Sequence, residues 1–214
     1  MPLQLASFYR ASWDFTLYSE GFLAPWTRDY DDGKSPFISL EELMRHEVLD
    51  ARYLSIADYG RMVQEHISIG EDQITPIDLA NKLNEESGQA MAIISDLRRG
   101  DMSPTLESEL DDLETWCHLG FYFAQKLQAG VALNSYGRSG NSSDKREAIE
   151  LLERCIVHWK DVIRMTVDRY QPMPYVSMGN NIPNDGQLWP DFKAFHWKYF
   201  LEDVEADLDY AKSL

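Results

Sequence analysis

Apolar side chains recur every three or four positions along most of this chain, and the longest such run follows Pro104. Steps of four and three alternate along it, through Leu106, Leu110, Leu113, Cys117, Gly120, Ala124, Leu127 and Val131. This spacing is typical of a helix that contributes a seam to a bundle, and it predicts a helix from Pro104 to about Tyr136. The middle of this helix, residues 116–124, is apolar nearly all round, which predicts a central helix with several neighbours.

The same periodicity, together with capping signals, predicts the other helices. Thr75 followed by Pro76 is a strong start signal, because threonine caps a helix N-terminus and proline suits the first turn. Ser39 and Glu42 form the S-x-x-E pattern of a capping box. The predicted long helices cover residues 75–99, 104–136, 144–170 and 192–212, and the shorter ones cover residues 39–47 and 55–66. Residues 3–23 are predicted to form a helix or a helical hairpin, and residues 137–143 a tight connector.

The arrangement of these elements predicts the fold class. No segment shows the alternation of apolar and polar residues that indicates a β-strand, and the sequence contains no internal repeat. We therefore predict an all-α protein, a helical bundle of about four long helices preceded by shorter helices. The length of 214 residues suits a single all-helical domain over residues 1–214, in which short helices and loops of residues 1–70 pack on a bundle of residues 75–214.

The net charge of the chain indicates which classes of binding partner to expect. The chain has 36 acidic and 20 basic residues, for a net charge of −16. Nucleic-acid backbones attract basic surfaces, so we predict no nucleic-acid partner. No stretch reaches the roughly 20 apolar residues of a membrane span, so no membrane partner is predicted either. The N-terminus lacks the basic and apolar regions of a signal peptide, which leaves the compartment open.

Motifs for well-known chemistries are missing from the sequence. The two cysteines, Cys117 and Cys155, match no zinc motif and fall at apolar helix positions, so both are predicted to be buried. The Glu-x-x-His pairs of di-iron bundles do not occur, nor do HExxH, Gly-x-Ser-x-Gly, a P-loop or a dinucleotide fingerprint. No catalytic residue is therefore assigned.

Three histidines offer one alternative. His118, His158 and His196 each fall on a different predicted long helix. Converging imidazoles bind Zn²⁺ and similar ions and leave a coordination position open for water. DinB-like metal-binding helical bundles resemble this plan. The favoured interpretation is that each is a core or boundary histidine bonded to the backbone, and no metal or other cofactor is then predicted.

The segment between the last two helices, residues 171–191, is long and polar for a connector. Long loops in compact domains are often functional. Its aromatic rings can stack on sugars and its amides can bond to sugar hydroxyls, so the carbohydrate-binding candidates are Tyr175, Asn180, Asn181 and Trp189. The alternative is that Tyr175 and Trp189 only hold the loop against the bundle.

Several short sequence segments together resemble those of a known family. They lie, in order, at residues 18–23, 37–43, 49–59, 74–80 and 115–127. The chain resembles the C-terminal helical region of bacterial α-glucuronidase-like glycoside hydrolase proteins of the Bacteroidetes type, over most of its length.

This resemblance implies a non-catalytic C-terminal helical module of a carbohydrate-active protein that contributes to glycan binding or domain packing. The family carries its catalytic carboxylates on a preceding barrel domain, and this chain shows no alternating strand–helix pattern. The resemblance therefore implies an upstream catalytic domain as partner and no activity of the chain alone. If the whole protein is an enzyme, a glycoside hydrolase in the periplasm or outside the cell is implied.

Overall fold

The computed structural model describes residues 37–171 and 196–214. In chain order the helices are α1 (Leu40–Arg45), α2 (Ile56–Gln64), α3 (Pro76–Leu97), α4 (Pro104–Ser139), α5 (Ser142–Thr166) and, after a 3₁₀ turn at Trp197–Phe200, α6 (Leu201–Ser213). Those two ranges contain an isolated bridge between Tyr53 and Ile74 and no extended strand. The all-α prediction is confirmed. The helix or helical hairpin predicted at residues 3–23 lies outside the described residues.

Capping residues explain why the helices begin where they do. Ser39 and Glu42 form the predicted capping box at α1. Thr75 caps α3 in a second box with Asp78, and Pro76 occupies its first turn. Each box satisfies backbone N–H groups that the helix itself leaves without partners. The predicted starts of these two helices are confirmed.

The connection between α4 and α5 is shorter than the sequence predicts. The predicted connector at residues 137–143 is mostly helical, and only Gly140 and Asn141 separate the two helices. Gly140 ends α4 with a φ of 70°, a left-handed conformation that glycine adopts without strain. The side chain of Asn141 then caps α5 by accepting from the Ser143 N–H. A connection this short makes α4 and α5 antiparallel neighbours in an αα-hairpin.

Helix α4 is the central element, as predicted. It packs against α3 on one side and α5 on another, and α1 and α2 cross it near its C-terminal half. Two positions of the predicted apolar seam are wrong, since Leu106 and Leu113 are 37% and 52% exposed. Within the described residues, the N-terminal part of α4 contributes Leu110 and Cys117 to a small cluster with Ile94 of α3 rather than to the main core. No helix in the described part of the chain is long and apolar enough to cross a membrane.

A glycine lets the short helices approach α4 closely. A Cβ atom at Gly130 would lie 2.8 Å from Ile56 Cδ1 and 3.4 Å from Met44 Cγ. Ile56 is fully buried, so it has little room to move away. Gly130 is therefore a position on α4 where a larger side chain does not fit.

A buried ion pair ties both ends of the described chain to α4. Lys126 is fully buried, and its Nζ atom lies 2.6 Å from Asp207 Oδ2 on α6. The same ammonium donates to the Ile38 carbonyl at 2.6 Å and lies 4.1 Å from the centre of the Phe37 ring. Asp207 Oδ1 accepts from the Leu40 N–H at 2.6 Å. Burial raises the pKa of Asp207, and the ammonium opposes that rise.

We expect Gly130→Ala to destabilise the fold by about 1–3 kcal/mol, because the added methyl group overpacks the contact with Ile56. Gly88→Ala is the matched control. Gly88 is an exposed position inside α3 with no atom within 4 Å of a Cβ. There alanine is expected to stabilise by about 0.5–1 kcal/mol. Urea unfolding of both variants checks the opposite signs, and a neutral Gly130→Ala contradicts the close contact.

We expect Lys126→Met or Asp207→Asn alone to cost about 3–5 kcal/mol, because each leaves a buried group without its charged partner. The double variant should cost clearly less than the sum of the two. Chemical unfolding of the four proteins forms a double-mutant cycle. Additive costs would show that the two side chains do not act as a pair.

Candidate metal centre

Two histidines face each other across the interface of α4 and α5. His118 is 8% exposed, and its Nδ1 atom lies 3.1 Å from Nδ1 of His158. The antiparallel hairpin brings these positions together, because neighbouring contacts such as Ser135 with Asp144 and Thr115 with Met165 fix the register of the two helices. The Nδ1 atoms of both rings therefore lie next to each other between α4 and α5.

A carboxylate completes the group. Asp161 lies one turn after His158 on α5, a spacing that places both side chains on the same helix face. Its Oδ2 atom is 3.8 Å from His118 Nδ1, and one ligand atom from each of the three residues lies within 4.8 Å of the others. Ligand atoms around a tetrahedral zinc ion, bound at about 2.0–2.2 Å, are roughly 3.3 Å apart. Small side-chain rotations would therefore bring the three atoms around one ion.

Each outward-facing ring nitrogen faces a polar side chain. His158 Nε2 lies 3.2 Å from the side-chain amide nitrogen of Gln125. The other amide atom, Gln125 Oε1, is buried and has no hydrogen-bond partner in the described part of the chain. Turning the amide by 180° lets this oxygen accept the His158 Nε2–H, which leaves the Nδ1 lone pair free for a ligand. His118 Nε2 faces Glu114 Oε1 at 3.8 Å. Carboxylates and carbonyls on the far nitrogen are typical of metal-binding histidines.

The electrostatic setting favours neutral imidazole at His158. Burial, together with the neighbouring His118, lowers the pKa of His158 to about 4. The flanking carboxylates are held in ion pairs, Glu114 with Arg98 and Asp161 with Arg164, the latter at 3.0 Å. A neutral imidazole and an ionised carboxylate are the forms that bind a metal ion.

The third predicted histidine does not join this group. His196 is buried, with its Nε2 atom 3.4 Å from the Thr166 carbonyl oxygen. Its Nδ1 atom accepts the Lys198 N–H at 3.1 Å and so caps the 3₁₀ turn. These contacts match the favoured interpretation of a core histidine bonded to the backbone. Asp161, which the sequence reasoning missed, takes the third place, and the pattern His158-x-x-Asp161 was its available signal.

The other candidates have different outcomes. The carbohydrate-binding candidates Tyr175, Asn180, Asn181 and Trp189 lie outside the described residues. Both cysteines are buried, as predicted, and neither forms a disulfide. Burial raises the pKa of Cys117 to about 11, so its thiol stays protonated at neutral pH.

Comparison with protein-family models, with curated proteins and with solved structures gives no match to this chain. The resemblance to a helical region of glycoside hydrolase proteins therefore stays a prediction.

The lowered pKa of His158 predicts a pH dependence of the metal-free protein. The folded state favours neutral imidazole, so this contribution to stability is present above the unfolded pKa of about 6.5. It is lost as the pH falls from about 6.5 toward 4. With EDTA present, the wild type should lose more stability than His158→Gln between pH 7 and pH 4.5. An NMR titration that protonates the His158 ring near pH 6.5 in the folded protein would contradict this.

Proposed function

We propose that this chain binds one divalent transition-metal ion between α4 and α5, through His118, His158 and Asp161. The observation that carries the proposal is the approach of the two Nδ1 atoms to 3.1 Å. A single hydrogen bond between two imidazoles would explain the contact between the two Nδ1 atoms alone. Here a carboxylate lies beside the pair and the outer nitrogens face Gln125 and Glu114, which is the arrangement of a ligand set with supporting partners.

The ligand types indicate which ions suit the site. Imidazole nitrogen favours Zn²⁺, Fe²⁺ and similar ions over Mg²⁺ and Ca²⁺, which prefer oxygen ligands only. Two histidines and one carboxylate are the protein ligands of one group of catalytic zinc sites and of non-haem iron(II) sites, where further positions stay open. The Asp161 side chain is 30% exposed, so solvent reaches this edge of the site. A bound ion could therefore hold water or a small ligand and act on it as a Lewis acid.

This proposal modifies the histidine alternative of the sequence analysis by placing Asp161 where His196 was predicted. It also concerns binding rather than a named reaction. The glycan-binding role of a helical module beside an upstream catalytic domain stays a prediction, because its four candidate residues lie outside the described ranges. The two proposals concern different parts of the chain and are compatible.

Metal binding tests the proposal directly. We expect one Zn²⁺ per chain by calorimetry and by elemental analysis after dialysis. Co²⁺ in its place should give visible d–d absorption with imidazole and carboxylate ligands. His118→Ala, His158→Ala and Asp161→Asn should each weaken Zn²⁺ binding at least about a hundredfold, because each removes a direct ligand.

Two controls separate this site from other histidines. His66→Asn removes an exposed imidazole near the end of α2 and suits the positive φ of that residue. It should leave the affinity unchanged. His196→Gln should do the same, since His196 is outside the ligand group. Circular dichroism shows whether each variant is folded. Absence of stoichiometric binding, or equal loss on His196→Gln, would overturn the proposal.

A further inference from the structure

Two carboxylates beside the histidine pair divide their oxygens in the same way. Asp161 Oδ1 accepts from Arg164 at 3.0 Å, while Asp161 Oδ2 lies 3.8 Å from His118 Nδ1. Glu114 repeats this on the other side of the ring. Its Oε2 atom accepts from Arg98, while its Oε1 atom lies 3.8 Å from His118 Nε2. Each arginine therefore determines which carboxylate oxygen points at the imidazole.

Arg98 differs from Arg164 because it belongs to another helix than the carboxylate it holds. It is the residue that ends α3, and its guanidinium reaches across to α4. There Nη1 donates to Glu114 Oε2 and Nη2 donates to Asp111 Oδ1. Asp111 and Glu114 are three residues apart, so both carboxylates lie on the same face of α4. Only the planar fork of an arginine presents two separate N–H groups to two carboxylates in this way.

The contact of Arg98 with α4 is part of a larger charge network. Asp111 Oδ2 accepts from Arg169, which follows the end of α5. Alternating charges therefore join the ends of α3 and α5 to α4. Isolated surface ion pairs contribute little to stability, whereas a network of such pairs holds its side chains in place. The carboxylate of Glu114 is thus fixed from α3, next to the imidazole of a proposed metal ligand.

We propose that Arg98 is a positioning residue of the metal centre, which couples occupancy of that centre to the contact of α3 with α4. By holding Glu114 Oε2, Arg98 keeps Oε1 opposite His118 Nε2 and so orients the imidazole toward the ion. A carboxylate on the far nitrogen fixes the ring orientation of a metal-binding histidine. The inference rests on the proposed metal site. Because such coupling is reciprocal, a bound ion should also strengthen the contact of α3 with α4.

Charge alone predicts the opposite effect when this arginine is removed. A guanidinium close to a cation site repels the bound ion, so losing it should strengthen metal binding if simple electrostatics were its only influence. Losing a positioning residue should weaken metal binding instead. The sign of the change in affinity therefore separates the two roles.

We expect Arg98→Gln to weaken Zn²⁺ binding about three- to thirtyfold, measured by calorimetry. Arg99→Gln is the matched control. It removes the same charge from the next residue, whose side chain is mostly exposed and pairs with Asp96, and it should not weaken binding. In a Glu114→Gln background, Arg98→Gln should have no further effect on affinity, because Arg98 acts through Glu114.

Hydrogen exchange reads the coupling from the side of α3. At the end of that helix the Arg98 N–H donates to the Ile94 carbonyl and the Gly100 N–H donates to the Leu97 carbonyl. Saturating Zn²⁺ should slow the exchange of these two amides in the wild type. In Arg98→Gln, saturated with Zn²⁺ in the same way, the slowing should be lost.

The outcomes distinguish this proposal from the metal site on which it rests. A wild type that binds no Zn²⁺ would overturn both. A wild type that binds Zn²⁺, beside an Arg98→Gln variant that binds it equally or more tightly, would overturn the positioning role and leave the metal site standing. Independent losses on Arg98→Gln and Glu114→Gln would do the same. If Arg98→Gln does not fold, Arg98→Lys decides, since it keeps the charge but loses the fork, and wild-type affinity there would overturn the proposal.

Discussion

The fully buried ammonium of Lys126 is the interaction on which the described fold depends most. Its positive charge is stable in the interior only while Asp207, the Ile38 carbonyl and the Phe37 ring surround it. Those partners come from opposite ends of the described chain. Asp207 in turn accepts the first N–H of α1. The ion pair therefore joins α1 and α6 to α4 at one buried point.

Helix α4 contacts its neighbours through three different kinds of interaction. Lys126 faces α6 and the chain before α1, where charge holds the elements together. His118 faces α5, where imidazoles and a carboxylate meet. Cys117 faces α3, where the packing is apolar and incomplete. The near-continuous apolar surface of the middle of α4 makes this possible, since each polar group on it is surrounded and oriented by packed neighbours.

The sequence predicted the helices better than it predicted the site. Helix starts depend on local signals such as Thr75 and Pro76, so they could be read from a few residues. The burial of Lys126 could not, because lysine is nearly always exposed and its partner is far away in sequence. Asp161 was missed for a related reason. In a chain with 36 acidic residues one aspartate carries no information until the fold places it beside two histidines. Leu113 shows the converse, since a regular seam cannot reveal where the neighbouring helix is absent.

The two-residue connection at Gly140 and Asn141 has a consequence for how the histidine cluster can vary. His118 lies before this connection on α4, and His158 and Asp161 lie after it on α5, so all three residues belong to one continuous hairpin. Inserting a single residue into α5 ahead of His158 would turn that imidazole by about 100° around the helix axis and out of the cluster. The number of residues in α5 ahead of His158 is therefore as restricted as the identity of the three ligand residues. Inserting a whole turn would restore the face but move His158 about 5.4 Å along the helix axis and away from His118. An insertion beyond Asp161 would leave the spacing of the three residues unchanged.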